Sequence, residues 1–383
     1  MQALTVGSIA YDFAEFGAWR TFATHPSAPS AFSRSGPGIW NVIKPEVVEY
    51  GGDAVRTNNV PPDIQAGGRI PEACPNLVRS TLSSPGPAAD RDSAGTSYAA
   101  PKVARIAAHV QRVLPAEPAL LYRALVVQSA QWPAWAEDIL SRLRNPAPNM
   151  TQAEKQALIE AASSAFRCLG FGVPDETRAT ANTDYRATLI TSGDAEIHAS
   201  ECHIYQVPIP VELRQQADEF DIRIDVTLSY VAQPRRTRRN LRRYLSTWVD
   251  WKASKLGEGL HDFRVRAMKD ATNGEAPLPG STLPWVLHDK PQDGLIREFK
   301  RNSGTVQKDW SVVRSNSLPD HFCIAVVGHR GWSHDPDSTA RYVLAVTFEI
   351  LGSEITIYEP LRAAIAELQA EADEIEVEIE TTE

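Results

Sequence analysis

Several things are scarce in this chain. Its four cysteines, Cys74, Cys168, Cys202 and Cys323, lie far apart among 383 residues. That spacing offers neither a disulfide framework nor a zinc knuckle, so no metal site is expected. Basic residues are the minority, 39 Lys and Arg against 48 Asp and Glu, and the net charge is −9. Phosphate contact needs a surplus of cations on one surface, so general nucleic-acid binding is excluded. No apolar run approaches the roughly 20 residues that span a bilayer. The opening MQALTVGSIAYDFAEFG has no basic stretch followed by a long apolar one, and so is not a secretory signal. These absences predict a cytoplasmic chain with neither membrane nor nucleic acid as a partner. What is present is 43% hydrophobic and 23% charged residues, the composition of a globular protein with a proper core. The length suits about two domains.

The texture changes along the chain. Ala3–Ala10 (ALTVGSIA) is a short apolar run ending in small residues, the pattern of a parallel strand buried on both faces. Such a strand needs neighbours, yet only Met1 and Gln2 precede it here. The expectation is a further coding segment upstream, of roughly a hundred residues or more, that completes the sheet. A second short run spans Pro45–Gly52, and residues 53–95 read as mostly loop, dense in Pro, Gly, Asn and Asp. Helical spacing follows, with Val103, Ile106, Ala107, Val110 and Val113 on one face. Pro118–Trp132 predicts a second helix opened by proline. Thr151–Phe166 predicts a third, with a threonine cap and a stop at Gly170, Gly172 and Pro174.

From about Ala179 the period falls to two. RATLITSG, HIYQVPIPV, FDIRIDVTLSYV, HFCIAVVGH and ARYVLAVTFEIL are strand-like and separated by polar turns. They predict an antiparallel β-sandwich, jelly-roll-like in kind. The last stretch, AELQAEADEIEVEIETTE, is acidic and short of aromatics, which predicts a solvated or frayed tail. The expected division is residues 1–178, 179–362 and 363–383.

Chemistry concentrates at SAGTSYAAPKVARIAAHVQRVL, from Ser93 to Leu114. A serine at a helix N-terminus can be a plain cap. It can also be a nucleophile held where unpaired N–H groups and the helix dipole favour developing negative charge. Gly95-Thr96 makes a sharp entry to Ser97, Ala99 and Ala100 keep the surroundings small, and Pro101 suits a first helical turn. The segment resembles the nucleophile segment of the subtilisin-like serine proteases, the subtilases, whose mark is G-T-S-x-A-x-P-x-V-A. Four further stretches are similar to the family's motifs in the family's order. LTVGSIA is like its T-V-G-A strand, and FSRSGPG (Phe32–Gly38) like F-S-x-x-G-P. KPEVVEYGG (Lys44–Gly52) is like K-P-[DE]-[VI]-x-A-P-G, and GFGVPD (Gly170–Asp175) resembles the segment that closes the catalytic domain.

The resemblance implies the C-terminal half of an α/β parallel-sheet catalytic domain and hydrolysis of peptide bonds in a peptide or protein substrate. Ser97 would attack the carbonyl with its own N–H as one oxyanion donor, and Gly95 and Thr96 would line the substrate cleft. No cofactor is implied. Arg105 stands where the family usually has Gly, and Glu49-Tyr50 replaces Ala-Pro. The family's Asp and His, and the Asn of its oxyanion hole, lie before the T-V-G strand and match no residue here. Two partners follow from the resemblance: the missing N-terminal half, and a separate AAA-type ATPase. The alternative is an inactive fragment, or one half of a split protease, serving as a binding or structural module.

A base within this sequence has few candidates. His109 lies roughly 18 Å along the helix from Ser97, beyond proton-transfer reach. His25, in a Pro/Ser loop, is free of that objection but comes in the wrong chain order for the family. His198/His203 and His329/His334 lack the clustered partners of a metal site and read as surface residues. Gln233–Trp251 packs six arginines among aromatics. Its readings are an acidic partner or nucleic-acid patch, or a solvated face with Trp248 and Trp251 turned inward, which the acidic net charge favours.

Overall fold

The computed structural model describes residues 3–65, 76–79, 92–214, 219–235, 244–256, 258–273, 283–352 and 354–380. Cys74 and five of the six clustered arginines (Arg236, Arg238, Arg239, Arg242 and Arg243) lie outside the described residues. Two compact units divide the chain. One gathers Gln2–Ala116 with Leu125–Thr180, and the other Glu117–Ala124 with Ala181–Glu383.

The first unit is of mixed α/β type. Strands β1 (Val6–Ile9) and β4 (Val47–Tyr50) form a parallel pair, with Val6 opposite Val47 and Ile9 opposite Tyr50. Strands β2 (Glu15–Phe16), β3 (Trp19–Thr21), β5 (Val55–Thr57) and β6 (Ile64–Gln65) form a small antiparallel sheet. Val55–Thr57 and Ile64–Gln65 are short strands within the stretch expected to be mostly loop. Val55–Thr57 finds its ladder on Trp19–Thr21, a distant partner that local composition does not reveal.

Helix α1 (Thr96–Val113) packs on β1 and β4 and buries Ala99, Val103, Ile106 and Val110 at helical spacing. Helix α2 (Ala119–Ser129) straddles the division, its residues to Ala124 grouping with the second unit. Helix α3 (Ala134–Arg144), absent from the sequence reading, starts after Pro133 and buries Ala136, Leu140 and Leu143. Helix α4 (Gln152–Leu169) opens with a full capping box: the Glu154 N–H donates to Thr151 Oγ1, and the Thr151 N–H to the Glu154 carboxylate. Its C-cap is Gly170 at φ 56, where a Cβ would sit 2.1 Å from the Pro45 carbonyl oxygen. A short α5 (Glu176–Thr180) ends the unit.

The second unit is β-rich. One antiparallel sheet runs in the order β12 (Val306–Arg314), β10 (Asp221–Ala232), β14 (Thr339–Leu351), β7 (Arg186–Ile190), with β8 (Ala195–His198) also on β14. The other runs β11 (Thr247–Ala253), β13 (His321–Arg330), β9 (Cys202–Pro208). The facing sides meet where Phe322 sets its edge on Phe348 at 5.7 Å. On the other face of the second sheet, Cys323, Ala325 and Val327 pack against Phe263 and Ala267. A one-turn α6 (Val211–Arg214) follows β9, and Phe263 and Ala267 belong to α7 (Leu260–Asn273).

Helix α8 (Tyr358–Glu380) gives a regular backbone to the acidic stretch expected to be solvated or frayed. Its Ala, Glu and Leu content is strongly helix-forming, and buried Ile357 and Leu361 anchor its start. Of the inward pair, Trp248 is 7% exposed and Trp251 fully buried. No described helix is long and apolar enough to cross a membrane.

Candidate active site

The carboxyl ends of β1 and β4 and the N-terminus of α1 converge, the place where open parallel sheets commonly bind ligands. Backbone hydrogen bonds fix the convergence. The Gly51 N–H donates to the Ile9 carbonyl at 3.3 Å, and the Gly95 N–H to the Gly51 carbonyl at 2.8 Å. Glycine is required at 51, because a Cβ there would lie 2.4 Å from Ser8 Oγ and 2.6 Å from the Gly95 oxygen. Behind the strand ends, buried Asn76 accepts the N–H groups of Tyr11 and Asp12 on Oδ1, each at 3.0 Å. Asp53 accepts from Ala23 at 2.7 Å and Ala31 at 2.9 Å, and burial pushes its carboxyl up despite those bonds. Sequence reasoning passed over Asp53 and Asn76. The available signal was the Asp directly after Gly51-Gly52.

Ser97 is exposed, as is Thr96, while Gly95 is half-buried. The helix begins at Thr96, so Ser97 is its second residue, and its N–H falls in the turn that has no intrahelical acceptor. The Tyr98 N–H donates back to the Gly95 carbonyl at 3.0 Å and closes the turn. A Cβ at position 95 would sit 3.2 Å from Ser97 Oγ, so the glycine leaves the hydroxyl room. Pro101 lies one turn deeper than sequence suggested. It is the sixth helical residue, inside α1, and its missing N–H deprives the Ser97 carbonyl of its ordinary i+4 donor.

The flank of α1 facing β4 is charged. Glu49 is half-buried, and burial pushes its carboxyl up against the pull of Lys102 and Arg105. Lys102 Nζ stands 5.6 Å from the centre of the Tyr50 ring, and the Tyr50 hydroxyl meets Ser27 Oγ at 2.9 Å. Further along, Arg105 donates to Glu176 Oε2 at 2.6 Å and His109 Nδ1 contacts Glu176 Oε1. His109 is thus tied to α5. His25 rests its ring against Trp135 at 5.0 Å, with Nδ1 3.1 Å from the Pro26 carbonyl. Among the described residues no hydrogen bond joins a histidine to Ser97.

Two of the histidines read as surface residues are not bland. His329 is 5% exposed and stacks on Trp248 at 3.9 Å. His203 is half-buried, with Nε2 3.2 Å from Glu201 and Nδ1 2.7 Å from the Tyr342 hydroxyl. Period-two strands put alternate residues inside whatever their polarity, and both sit on inward positions. No group of three or more potential metal ligands occurs among the described residues.

The second unit also buries an ionic cluster that sequence gave no sign of. Lys252 joins Asp250 at 3.1 Å and also contacts Asp289, and Asn302 donates to Asp250 at 2.9 Å. Arg301 lies 3.8 Å over the Trp251 ring. Burial alone would raise the Asp289 carboxyl, but Arg301, His288 and Lys252 hold it far below the usual range.

The uncharacterized protein y4bN of Sinorhizobium fredii (strain NBRC 101917 / NGR234) is 28% identical over 374 residues, covering 95% of this chain and 78% of its own. The solved structure of Tomato Aspermy Virus aligns with 46% of this chain and 84% of its own at 13% identity, and its TM-score of 0.19 carries no argument. The family model described as Peptidase S8, the subtilase family, matches residues 2–172. This match supports a subtilisin-like serine protease domain over residues 2–172.

Proposed function

We propose that this chain supplies the nucleophile of a serine endopeptidase and that Ser97 is that nucleophile. One observation carries the reading: within the subtilase match, Ser97 is exposed on the first turn of α1, beside the carboxyl ends of two parallel strands. Its Oγ would attack the substrate carbonyl, and its proton would pass to a base. As negative charge grows on the carbonyl oxygen, the Ser97 N–H would donate to it, helped by the helix dipole. Gly95 and Thr96 would run beside the substrate backbone.

The base is proposed to come from outside these 383 residues, since His109 is held by Glu176 and His25 by Trp135. A subtilase N-terminal half is the partner that fits this need. The AAA-type ATPase remains part of the proposal through family resemblance alone, and a cytoplasmic setting through composition and cysteine usage. We further take the two facing sheets of the second unit as a β-sandwich appended to the catalytic unit.

Fluorophosphonate labelling tests the assignment. Expressed together with its native flanking coding sequence, the protein should be labelled at Ser97 and hydrolyse casein, and Ser97→Ala should lose both. Wild-type turnover in Ser97→Ala overturns the nucleophile. The 383-residue chain alone should hydrolyse casein on the order of 10⁴-fold more slowly, as expected when a triad is incomplete. Rapid, stoichiometric labelling of that chain would place the base within it and overturn the outside-base reading.

A further inference from the structure

The second unit contains a cavity of about 670 Å³ that has no part in the chemistry proposed for Ser97. It opens where the edge strands of the two sheets, β7 and β9, lie side by side, and α8 runs across the opening. Most of its wall surface is apolar, with Ala187 from β7, Val207 from β9, Leu344 and Val346 from β14, and Leu361 and Ile365 from α8. The volume falls in the range of small-molecule sites, which are mostly apolar with a few placed polar groups.

Nine of the eighteen lining residues carry polar side chains, Asn182, Thr188, Gln206 and Gln369 among them, but only one is charged. Of the described lining residues, Arg362 alone carries a formal charge, and no carboxylate lines the space. Arg362 pairs with Glu359 at 2.9 Å, but both side chains are about two-thirds exposed, at 68% and 64%. Exposed pairs of this sort are weak and readily exchanged for a better anion. In a chain of net charge −9, an apolar cavity with a lone guanidinium at its wall is selective. It favours an apolar body that ends in an anion.

Tyr205, also in the lining, ends a hydrogen-bonded chain. Its hydroxyl meets that of Tyr342 at 2.6 Å, Tyr342 meets His203, and His203 meets Glu201. Burial pushes both phenols up, so both remain neutral hydroxyls. One phenol carries one donor and two acceptor sites, and Tyr205 spends only part of that capacity on Tyr342.

We propose that the cavity beneath α8 binds a small amphipathic carboxylate, its aliphatic or aromatic body between β7, β9 and β14 and its carboxylate on Arg362. This does not depend on the role of Ser97.

Titration calorimetry of the full chain with dodecanoate and dodecanol tests it. Dodecanoate should bind at one site per chain, more tightly than dodecanol. Arg362→Ala should weaken dodecanoate about tenfold, the usual size of a lost charge-assisted hydrogen bond, and leave dodecanol unchanged. Ala366→Trp, at an exposed helix position that also lines the cavity, should fill the space and weaken both ligands without disturbing the fold. Three results would each overturn the proposal: no binding, equal binding of acid and alcohol with Arg362→Ala silent, or undiminished binding to Ala366→Trp.

Discussion

Glu49 stands where subtilases usually carry a small apolar residue, and its surroundings show what that exchange costs. Burial disfavours the carboxylate more than Lys102 and Arg105 favour it, so the folded protein holds the proton more tightly than the unfolded chain. A carboxyl raised in this way opposes folding as pH climbs through its unfolded value, about 4.3 for Glu. Glu49→Gln should therefore stabilise the first unit at pH 7 and change little at pH 4, as read from urea melts at the two values. Equal effects at both would mean the residue acts through packing rather than charge. The helix entry that carries Ser97 was legible in sequence, because Gly95, Thr96 and Ala99 suit a tight entry. The tie between His109 and Glu176 was not, because 67 residues separate them.

Elements with strong local signals were legible, and those built from distant pairing were not. Helix α4 announces itself through Thr151 and Glu154, spaced for reciprocal capping, and closes at Gly170 and Gly172. Thr151→Ala should cost about 1 kcal/mol; a loss below about 0.3 kcal/mol in chemical denaturation would show that the cap is redundant. Strands β10, β13 and β14 alternate visibly and were read directly. By contrast β12, VQKDWSVVR, is mostly buried although it carries Lys308 and Asp309, both fully inaccessible. Lys308 lies 3.4 Å from Asp225, and the N–H groups of Leu287 and His288 donate to Asp309. Paired charge mimics a solvent-facing pattern in sequence, so an ionic interior is hidden from any reading of polarity alone.

At the scale of the whole molecule, the two units are not consecutive in the chain. Glu117–Ala124 belongs with the β-rich unit, and Arg123 shows why. It is 9% exposed, and it donates to Ser229 Oγ at 2.8 Å, the Tyr230 carbonyl at 2.8 Å and the Thr305 carbonyl at 3.2 Å. Arg123→Ala takes one buried donor from each of these acceptors, although the Thr305 carbonyl keeps the Tyr230 N–H at 2.9 Å, and should cost about 2–3 kcal/mol. Tryptophan fluorescence should report it, since Trp251, Trp285 and Trp310 are buried in that unit. An unfolding midpoint equal to wild type would show that other donors take over.

This interleaving bears on heredity. A single crossover at the Thr180–Ala181 boundary would transplant the rest of the β-rich unit without the eight residues that carry Arg123. The recipient would have to offer an equivalent arginine in its own helix, or the graft would arrive destabilised. The unit is thus poorly suited to shuffling as a cassette and well suited to descent with its neighbour. The relative in Sinorhizobium fredii, aligned across both units over 374 residues, has the span that such joint inheritance leaves behind.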